Sequence, residues 1–489
     1  MHIMPYIEGE DRHQITFFPE CIEDYVGEDN AVRVIDEYVE QLDVAAFGFK
    51  FATSPKIGRP PFRPQVLIKL YIYGYLNRIR SSRGLEHETK RNLELMWLLG
   101  KLSPDHKTIA NFRKDHKKIL KQVFKDFNNL CKDWGLFGKE RVAIDGSKFK
   151  ASNSKKNNYN KKKLDRHLNY IDEKIEKYLK ELDENDEEEK EEHKPTSKEI
   201  KKRIEQLRER QQKYQSYKEE LEEGKSEIST TDPDARLMAS NNNGMEVSYN
   251  VQATVDSKHK LVTDYEVTNS PNDLGQLSKM ALRAKEFYSK DELEALADKG
   301  YYGVEELKAC VENGIKPYVS KQTYSNGTGD KDFYLDKFKY DKENDIYICP
   351  AGEKLSYAKT RRSKEKGILG YDYRNYQACN DCSFKKRCTR SKKGRSIFRH
   401  IDQDFLDTID EQTKANMDKY KLGALIVEHP FGTIKRNWNA YYFLTRGKCS
   451  VNAEMALSFL AYNLKRAINV LGVKEILRRL KEKGGPAPV

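Results

Sequence analysis

Three acidic residues stand where short apolar runs of this sequence end. Asp145 follows the run VAI, Asp298 follows ALA, and Glu428 follows ALIV. A carboxylate at such a position costs free energy unless it is solvated or bound to a cation. Taken singly, each acid is more often a turn or cap residue. Taken together, three carboxylates on two neighbouring strands and a facing helix can bind two divalent ions about 3.5–4 Å apart, which activate one oxygen and stabilise another at a phosphodiester.

A basic stretch follows the third acid. Lys435 lies seven residues after Glu428, two helical turns along the same face, so its ammonium group could reach a phosphate beside bound ions. Arg436 adds a second cation. His429 would point about 100° away from Glu428 on a helix, so we interpret it as a neighbour or a phosphate contact rather than a metal ligand. Trp438 either packs in the core or stacks on a base, and its size favours the core.

Four of the eight cysteines form a second candidate site. Cys349, Cys379, Cys382 and Cys388 have the spacing C-x29-C-x2-C-x5-C. The C-x2-C pair is similar to a zinc knuckle, in which four thiolates close a tetrahedral structural site, although the usual second pair is missing. Two interpretations stay open, a bound zinc ion or four reduced thiols in a loop. In both, the role is structural, and the basic residues nearby suit contact with a DNA backbone.

The first two acids belong to a predicted sheet. Strand-like periodicity begins at Arg141 in VAIDGSKF, and the segment MEVSYNVQATVD alternates apolar and polar residues before LVTDYEVTN. These three segments predict an antiparallel meander. Two more short strands are predicted around EALADKGY and GIKPYVSK, separated by helical segments such as GQLSKMALRAKEFY. The alternation of strands and helices indicates an α/β domain.

Residues 156–228 interrupt this sheet. Apolar residues from Leu164 to Leu182 recur at spacings of 3 and 4, and the pattern resumes from Ile200 to Leu221 after the acidic segment DENDEEEKEEHKP. This periodicity predicts an antiparallel helical hairpin with a narrow apolar seam. Charge-striped helices of this kind favour a structural or docking role over chemistry.

The N-terminal segment is helical in pattern and holds the charge excess of the chain. Residues 50–140 contain 20 Lys and Arg against 8 Asp and Glu, and the whole chain of 489 residues has a net charge of +12. Four predicted helices, the last capped by Asp105, suit a helix-turn-helix-like module. Such a segment gains affinity for a polyanion by displacing counterions from phosphates, the alternative being a solvated basic surface. The candidate DNA contacts are Arg78, Arg80, Arg83, Lys107, Arg113 and Lys114.

The composition excludes several classes of protein. With 37% hydrophobic residues the chain can fill a core, which excludes whole-chain disorder, and its length predicts about three structural units. The most apolar run, VLIKLYIYGYL, contains Lys69 and is far shorter than the ~20 residues that a membrane span needs. The first residues carry acids where a secretory signal needs basic and apolar ones. We therefore expect a cytoplasmic protein with reduced thiols and no membrane partner.

These features together resemble a known family. The motifs IDGSKFKA, LADKGYYG and IVEHPFGTIKR resemble the three acidic motifs of bacterial insertion-sequence transposases of the Asp-Asp-Glu (DDE) class. GRPPFRPQVLIKLYIYGYLNRIRSS and SPDHKTIANFRK are similar to the helical N-terminal domain of that family. TDPDARLM resembles its re-entry into the sheet, and YYFLTRGK its C-terminal region. The resemblance covers essentially the full length of the chain.

The resemblance implies a fold and a site. The implied units are an all-α DNA-binding domain at 1–138, a ribonuclease H-like α/β catalytic domain at 139–472 and a C-terminal tail at 473–489. The hairpin at 156–228 and a Cys-rich insertion at 321–420 interrupt the catalytic domain. Asp145, Asp298 and Glu428 are implied as ligands of two Mg²⁺ or Mn²⁺ ions. Lys435 matches the basic residue of the family's Glu-x6-Lys element.

The implied function is transposition. Such an enzyme binds the terminal inverted repeats of its element, cleaves the DNA with water and joins the freed 3′-hydroxyl to target DNA, as a homodimer in a synaptic complex at the bacterial nucleoid. A non-catalytic DNA-binding derivative and a metal-dependent nuclease without strand transfer are the alternatives. Related transposases often have Tyr and Arg seven and four residues before the Glu, where this chain has Lys421 and Ala424. A hairpin intermediate that depends on that Tyr and Arg is therefore in doubt, and cut-and-paste and copying both stay open.

Overall fold

The computed structural model describes residues 21–53, 60–187, 197–239, 244–321, 326–365 and 367–484. The N-terminal part is helical, as predicted, up to residue 133. After a short 3-10 helix at Ile22–Tyr25 come α1 (Ala31–Glu40), α2 (Pro64–Leu76), α3 (Ser82–Thr89), α4 (Leu93–Leu98), α5 (His106–Asp115) and α6 (Lys117–Asp133). The predicted cap of α5 is confirmed, because the Asp105 side chain accepts hydrogen bonds from the backbone N–H groups of Lys107 and Thr108. The first 20 residues and residues 54–59 lie outside the described part.

Two of the predicted N-terminal helices are each divided in two. The helix expected from Ser81 to Gly100 breaks after Thr89, because the Asn92 side chain accepts from Leu95 N and caps a new helix there. The helix expected after Asp105 breaks at His116, whose ring bonds to Phe112 O and accepts from Lys50 N. In both cases a polar side chain satisfies backbone groups that a continuous helix would use.

The predicted helical hairpin is confirmed. After β1 (Arg141–Lys150), the two-residue strands β2 (Asn158–Tyr159) and β3 (Ile228–Ser229) pair and enclose α7 (Lys161–Glu187) and α8 (Ser197–Glu222). Asp165 pairs with Lys218 at 2.8 Å and Asp172 with Gln211 at 2.5 Å, which makes the two helices antiparallel. The seam buries Leu164, Leu168, Ile171 and Tyr214, whereas the predicted seam residue Leu179 is exposed. Residues 188–196, in the acidic segment, lie outside the described part.

The central sheet has six strands and carries the first two acids. It contains β1, β4 (Arg236–Ala239), β5 (Met245–Asp256), β6 (Val262–Thr268), β7 (Leu293–Ala297) and β8 (Ile315–Val319), with α9 (Leu277–Tyr288) and α10 (Val304–Glu312) between the later strands. β1 and β6 pair antiparallel with opposite edges of β5, which confirms the predicted meander. β4 pairs with the first residues of β5. β7 lies parallel to β1 and β8 parallel to β7, so the sheet is mixed.

A second sheet is built from residues 339–400. Its strands are β9 (Lys339–Asp341), β10 (Ile346–Ile348), β11 (Lys354–Ser363), β12 (Gly367–Arg374) and β13 (Ser396–His400), antiparallel in that order, with α11 (Tyr376–Asn380) and α12 (Lys385–Cys388) before β13. Short 3-10 helices at Lys331–Phe333 and Leu335–Lys337 precede it. This sheet has a small core of its own, formed by Phe338, Tyr347, Leu355, Tyr373 and Ile397.

The chain then returns to the central sheet and ends in long helices. These are α13 (Gln403–Ala415), α14 (Met417–Gly432), which continues into a π-helix at Thr433–Asn437, α15 (Lys448–Leu471) and α16 (Val473–Gly484). The predicted C-terminal tail is a helix through residue 484, because Val473, Ile476 and Leu480 recur at spacings of 3 and 4 and are buried. None of the helices in the described residues is long and apolar enough to cross a membrane.

One hydrophobic cluster joins the N-terminal helices to the central sheet. It runs from Val26 to Leu480 and includes residues of α1, α2, α6, the central strands and α15. Asn128 of α6 donates to Val262 O and Thr263 O of β6, and Asn463 of α15 donates to Asn128 Oδ1 at 2.7 Å. The helical N-terminal part therefore packs directly on the sheet that carries Asp145 and Asp298.

Candidate active site

The three predicted acids line one cavity. This cavity, of about 530 Å³, lies between the middle of β1, the end of β7 and the helix α14. Asp145, Asp298 and Glu428 line it together with Lys435 and Arg436. The structure thus brings together acids that are 130 residues or more apart in the sequence. Other residues at the cavity are Ser147, Tyr420, Lys421 and Ala424.

Asp145 is held by β1 in a half-buried position. Alternation along the strand places Asp145 and Ser147 on the cavity face and Gly146 on the opposite face. The Gly146 N–H donates to Asp145 Oδ1 at 2.8 Å. Burial raises the pKa of Asp145 to about 7, the charges of Asp273 and Asp298 add to this rise, and the Gly146 N–H opposes it. A carboxyl group under these conditions gains from a nearby cation.

Asp298 is positioned by the turn that follows β7. Its side chain accepts from Lys299 N at 2.6 Å and caps a 3-10 helix at Lys299–Tyr301, which leaves the carboxylate exposed to the cavity. Tyr420 of α14 bonds to Asp298, and burial together with the charge of Asp298 raises the pKa of Tyr420. The phenol therefore stays protonated and able to donate at neutral pH.

Glu428 is brought to the sheet by the close approach of α14. A Cβ at Gly423, five residues earlier on the helix, would lie 3.1 Å from Leu296 Cβ on β7, so the glycine lets helix and strand touch. The Glu428 side chain is exposed and lines the cavity opposite β1. The carboxylate can therefore reach a ligand in the cavity from its own face of the helix.

Lys435 and Arg436 lie on the π-helix that continues α14. The Lys435 ammonium donates to Lys148 O at 2.6 Å and lies 4.4 Å from the centroid of the Phe149 ring. Burial lowers the pKa of Lys435 to about 8, and the charge of Asp145 partly offsets this decrease in pKa. Arg436 is exposed. A π-helical turn inside an α-helix is frequent at functional sites, and here it directs both cations to the cavity of the acids.

His429 and Trp438 point elsewhere. His429, next to Glu428, lines a separate cavity of about 420 Å³ with Arg78, Lys465 and Arg466, and its Nδ1 bonds to Tyr462 Oη at 2.7 Å. The prediction that it diverges from Glu428 is confirmed. Trp438 is 5% exposed, which confirms its packing in the core.

The predicted DNA contacts of the N-terminal part fall into two groups. Arg80 is buried, donates to Tyr442 O at 2.8 Å and pairs with Glu454. Arg113 is half-buried and donates to Tyr75 Oη at 3.3 Å. Both guanidinium groups thus stabilise the junction of α2, α5 and α15. The exposed members of the set are Arg78, Arg83, Lys107 and Lys114.

The four predicted cysteine ligands gather beside the second sheet. Cys349, Cys379, Cys382 and Cys388 line one small pocket, and burial together with the other thiols raises the pKa of Cys388 to about 11. Within the described residues, no group of three or more His, Cys, Asp or Glu side chains is arranged to hold one metal ion. The zinc prediction therefore gains no support, and the half-buried Cys388 thiol is protonated at neutral pH.

Two groups of site residues were not predicted from the sequence. Tyr420 is one residue from the position at which the family pattern expects a Tyr, and only the fold of α14 directs it to Asp298. The other group lies behind β1, where Asp273 accepts hydrogen bonds from Asn250 and Gln252. Strict alternation in β5 predicted the strand but carried no signal for the partner of these buried amides.

Comparisons with known proteins match two parts of the chain to transposase domains. A family model described as "Transposase domain (DUF772)" matches residues 20–115, and one described as "Transposase DDE domain" matches residues 348–468. The second match contains Glu428 and Lys435, while Asp145 and Asp298 lie between the two matches. No curated protein and no solved structure matches the chain. The two models together support an insertion-sequence transposase, and the matched DDE domain indicates a polynucleotidyl transferase.

Proposed function

We propose that this transposase binds the terminal inverted repeats of its own element, cleaves the DNA beside them in a magnesium-dependent step and joins the freed 3′-hydroxyl to target DNA. The observation that carries the proposal is the single cavity lined by Asp145, Asp298, Glu428 and Lys435. Its walls come from a sheet and a long helix, which are rigid supports for a catalytic group.

The sheet order supports a ribonuclease H-like catalytic domain. Three strands run in antiparallel succession, β6, β5 and β1, and two parallel strands, β7 and β8, follow on the other side of β1. The first acid lies on the central strand and the second at the end of its parallel neighbour. Ligands in α/β sheets bind near the carboxyl ends of parallel strands, which is where these acids meet.

The donor set of the cavity suits magnesium or manganese. Carboxylate oxygens are the preferred ligands of these hard ions, and Asp145, Asp298 and Glu428 would hold them. Within the described residues, the three carboxylates are not arranged to hold a single ion by themselves. The remaining ligands of each ion would therefore be water and DNA oxygens. Two bound ions would supply an activated water and stabilise the leaving 3′-oxygen.

The side chains of the cavity would orient the DNA for this reaction. Lys435, fixed by Lys148 O and the Phe149 ring, presents an ammonium group to a phosphate near Asp145. Tyr420 donates to Asp298 and holds that carboxylate in one orientation. Lys421 and Ala424, which replace the Tyr and Arg of related enzymes, both line the cavity, so Lys421 is available there as a further phosphate contact.

The exposed cations of the N-terminal helices would bind the element end. Arg83, Lys107 and Lys114 lie on α3 and α5, two helices that contact each other. Arg78 follows α2 and lines the same cavity as His429 of α14. Contacts of this kind fix the register of the duplex on the protein. Acting on DNA in a synaptic complex, the enzyme would work as a homodimer at the nucleoid.

Substitution of the acids tests the proposal. Asp145→Ala and Glu428→Ala should bind a labelled terminal inverted repeat with unchanged affinity and lose magnesium-dependent cleavage by at least about 10³-fold, since the ligands of the ions are gone. Cleavage that persists in both variants would contradict the site assignment.

A second experiment distinguishes a transposase from a nuclease that only hydrolyses DNA. Wild-type protein given pre-cut ends and a target plasmid should join them, which a nuclease without strand transfer would not do. A wild-type protein that binds the ends but neither cleaves nor joins would instead indicate a non-catalytic DNA-binding derivative.

A further inference from the structure

A buried polar network lies behind the two aspartates, on the face of the sheet that does not line the cavity. Its centre is Gln252 on β5, which is paired with Gly146 on β1 and shares its face. The Gln252 amide donates to Asp273 Oδ1 at 2.7 Å, and its carbonyl oxygen accepts from the hydroxyl group of Tyr301. Asn250, two residues along the same face of β5, donates to the same Asp273 oxygen at 2.8 Å.

This network joins the backbone next to both aspartates. A Cβ at Gly146, the residue after Asp145, would overlap with Gln252 Nε2 and Asp273 Oδ1 and lie 2.8 Å from Asn250 Oδ1. On the other side, a Cβ at Gly300, two residues after Asp298, would lie 3.6 Å from Asp273 Oδ2. The Asp273 carboxylate therefore packs against the chain beside Asp145 and beside Asp298 at once.

The members of the network are poorly placed for any other task. Asn250 and Gln252 are fully buried and Tyr301 is 1% exposed, so none of them reaches the cavity or solvent. The described partners of the Asp273 carboxylate are the two neutral amides, with no Lys or Arg among them. Burying a polar group costs free energy unless it is hydrogen-bonded, so three buried polar side chains linked to the half-buried Asp273 indicate a geometry that the network fixes.

We propose that Asp273, Gln252 and Tyr301 are positioning residues that set the separation of Asp145 and Asp298 from the back of the sheet. The chain of bonds runs from the loop before α9, through β5, to the turn after β7. These connections hold the middle of β1 and the turn after β7, whose carboxylates lie on the other face. The inference rests on the proposed function, because it assigns this network to the metal site of the same cavity.

Groups that orient metal ligands change metal affinity when they are removed, typically by 10–100-fold. Tyr301→Phe removes one hydroxyl group and leaves the ring in the core. Asp273→Ala removes the acceptor of both amides, whereas Asp273→Asn keeps an oxygen in that place. Tyr25→Phe, an exposed tyrosine far from the site, is the matched control.

The measurement is Mn²⁺ binding to the full chain, followed by the loss of the free-ion signal in electron paramagnetic resonance. Melting temperature and affinity for the terminal inverted repeat are recorded for the same proteins. Tyr301→Phe and Asp273→Ala should bind Mn²⁺ at least about tenfold more weakly with DNA affinity kept, while Asp273→Asn and Tyr25→Phe should stay close to wild type. If Asp273→Ala does not fold, Tyr301→Phe decides the outcome.

Three results would overturn the inference. Unchanged Mn²⁺ affinity in folded Tyr301→Phe means that the network does not position the ligands. A loss in Asp273→Asn as large as that in Asp273→Ala means that Asp273 acts on the metal site through its charge, at a distance or as a ligand, and not through its hydrogen bonds to the amides. Wild-type protein that binds no Mn²⁺ contradicts the proposed function first, and the inference fails with it, so the two failures are distinguishable.

Discussion

At the scale of single residues, the cavity holds a carboxyl group and an amine whose protonation is unusual. The pKa of Asp145 is raised from 3.8 to about 7, chiefly by burial, and that of Lys435 is lowered from 10.5 to about 8 for the same reason. Burial disfavours the charged form of each group, and the charge of Asp145 offsets part of the decrease in the pKa of Lys435. We therefore expect a cation to bind as Asp145 loses its proton.

This environment predicts how stability depends on pH. Because the folded-state pKa of Asp145 is above its unfolded value of 3.8, the stabilisation from its proton is fully present below pH 3.8 and is lost as pH rises through about 7. In EDTA, thermal unfolding of wild type should lose a few kcal/mol of stability from this group between those pH values. Asp145→Asn should lack that part of the slope, and Mg²⁺ should restore stability to wild type above pH 7. An identical slope in both proteins would contradict the raised pKa.

The two cations on the π-helix should have separable effects. Lys435→Met removes a buried ammonium beside Asp145 and should lower the rate of cleavage of bound DNA by about 100-fold, with little change in end affinity. Arg436→Ala removes an exposed cation and should weaken binding at low salt, with a salt slope smaller by about one and a nearly normal rate on bound DNA. Equal effects of both substitutions on the rate would count against a specific role for Lys435.

Much of the cavity follows from sequence, and the rest does not for a physical reason. Asp145 and Asp298 end apolar runs, and Lys435 has helical spacing to Glu428, so each carries a local signal. Tyr420 and Asp273 act through residues far away in the chain, and no local pattern records such contacts. Arg80 carries a local signal that is ambiguous, since a basic residue in a basic helical segment can equally bond to Glu454 in the interior.

At the scale of elements, periodicity was sufficient for five strands of the central sheet and for the two hairpin helices, but it did not predict β4 or the second sheet. The alternation of MEVSYNVQATVD predicts β5, and the spacings of 3 and 4 predict α7 and α8. The breaks at Asn92 and His116 were missed because they depend on single polar side chains that bond to the backbone. The helix α16 was missed because its apolar stripe of three residues is short.

The helical hairpin of α7 and α8 gives a prediction about assembly. Its seam is narrow and most of its surface is exposed, and it joins the rest of the chain through the short pair of β2 and β3. We expect it to contribute to dimerisation or to the pairing of two element ends. Deletion of residues 160–225 leaves Ser226 and Glu227 as a two-residue turn between β2 and β3.

Mass in solution, measured by light scattering, tests that expectation. The shortened chain should be a monomer at concentrations where wild type is a dimer, with the same melting temperature and the same affinity for a single inverted repeat. An unchanged oligomeric state in the shortened chain would remove the hairpin from the interface.

At the scale of the whole molecule, the N-terminal helices and the sheet that carries Asp145 and Asp298 share one core. Sequence reasoning separated residues 1–138 from a catalytic domain, since composition and periodicity change at Arg141. The hydrophobic cluster instead continues from α1 and α6 into the sheet and α15, and the buried pair of Asn128 and Asn463 crosses this junction. The spacing of apolar residues predicts which of them are buried but not which residues they contact, so the shared core could not be predicted from the sequence. We therefore expect a duplex bound to the N-terminal helices to be held at a fixed position relative to Asp145.

We propose that the cavity holds divalent ions and that DNA cleavage depends on them. The test is to measure how cleavage of a labelled element end by Asp298→Cys depends on the metal ion. A thiolate is a poor ligand for Mg²⁺ and a better ligand for Mn²⁺. Asp291→Cys, at an exposed acid seven residues earlier, is the control. We predict that Asp298→Cys is inactive with Mg²⁺ and regains cleavage with Mn²⁺, while the control cleaves with both. Full cleavage by Asp298→Cys with Mg²⁺ would contradict the account.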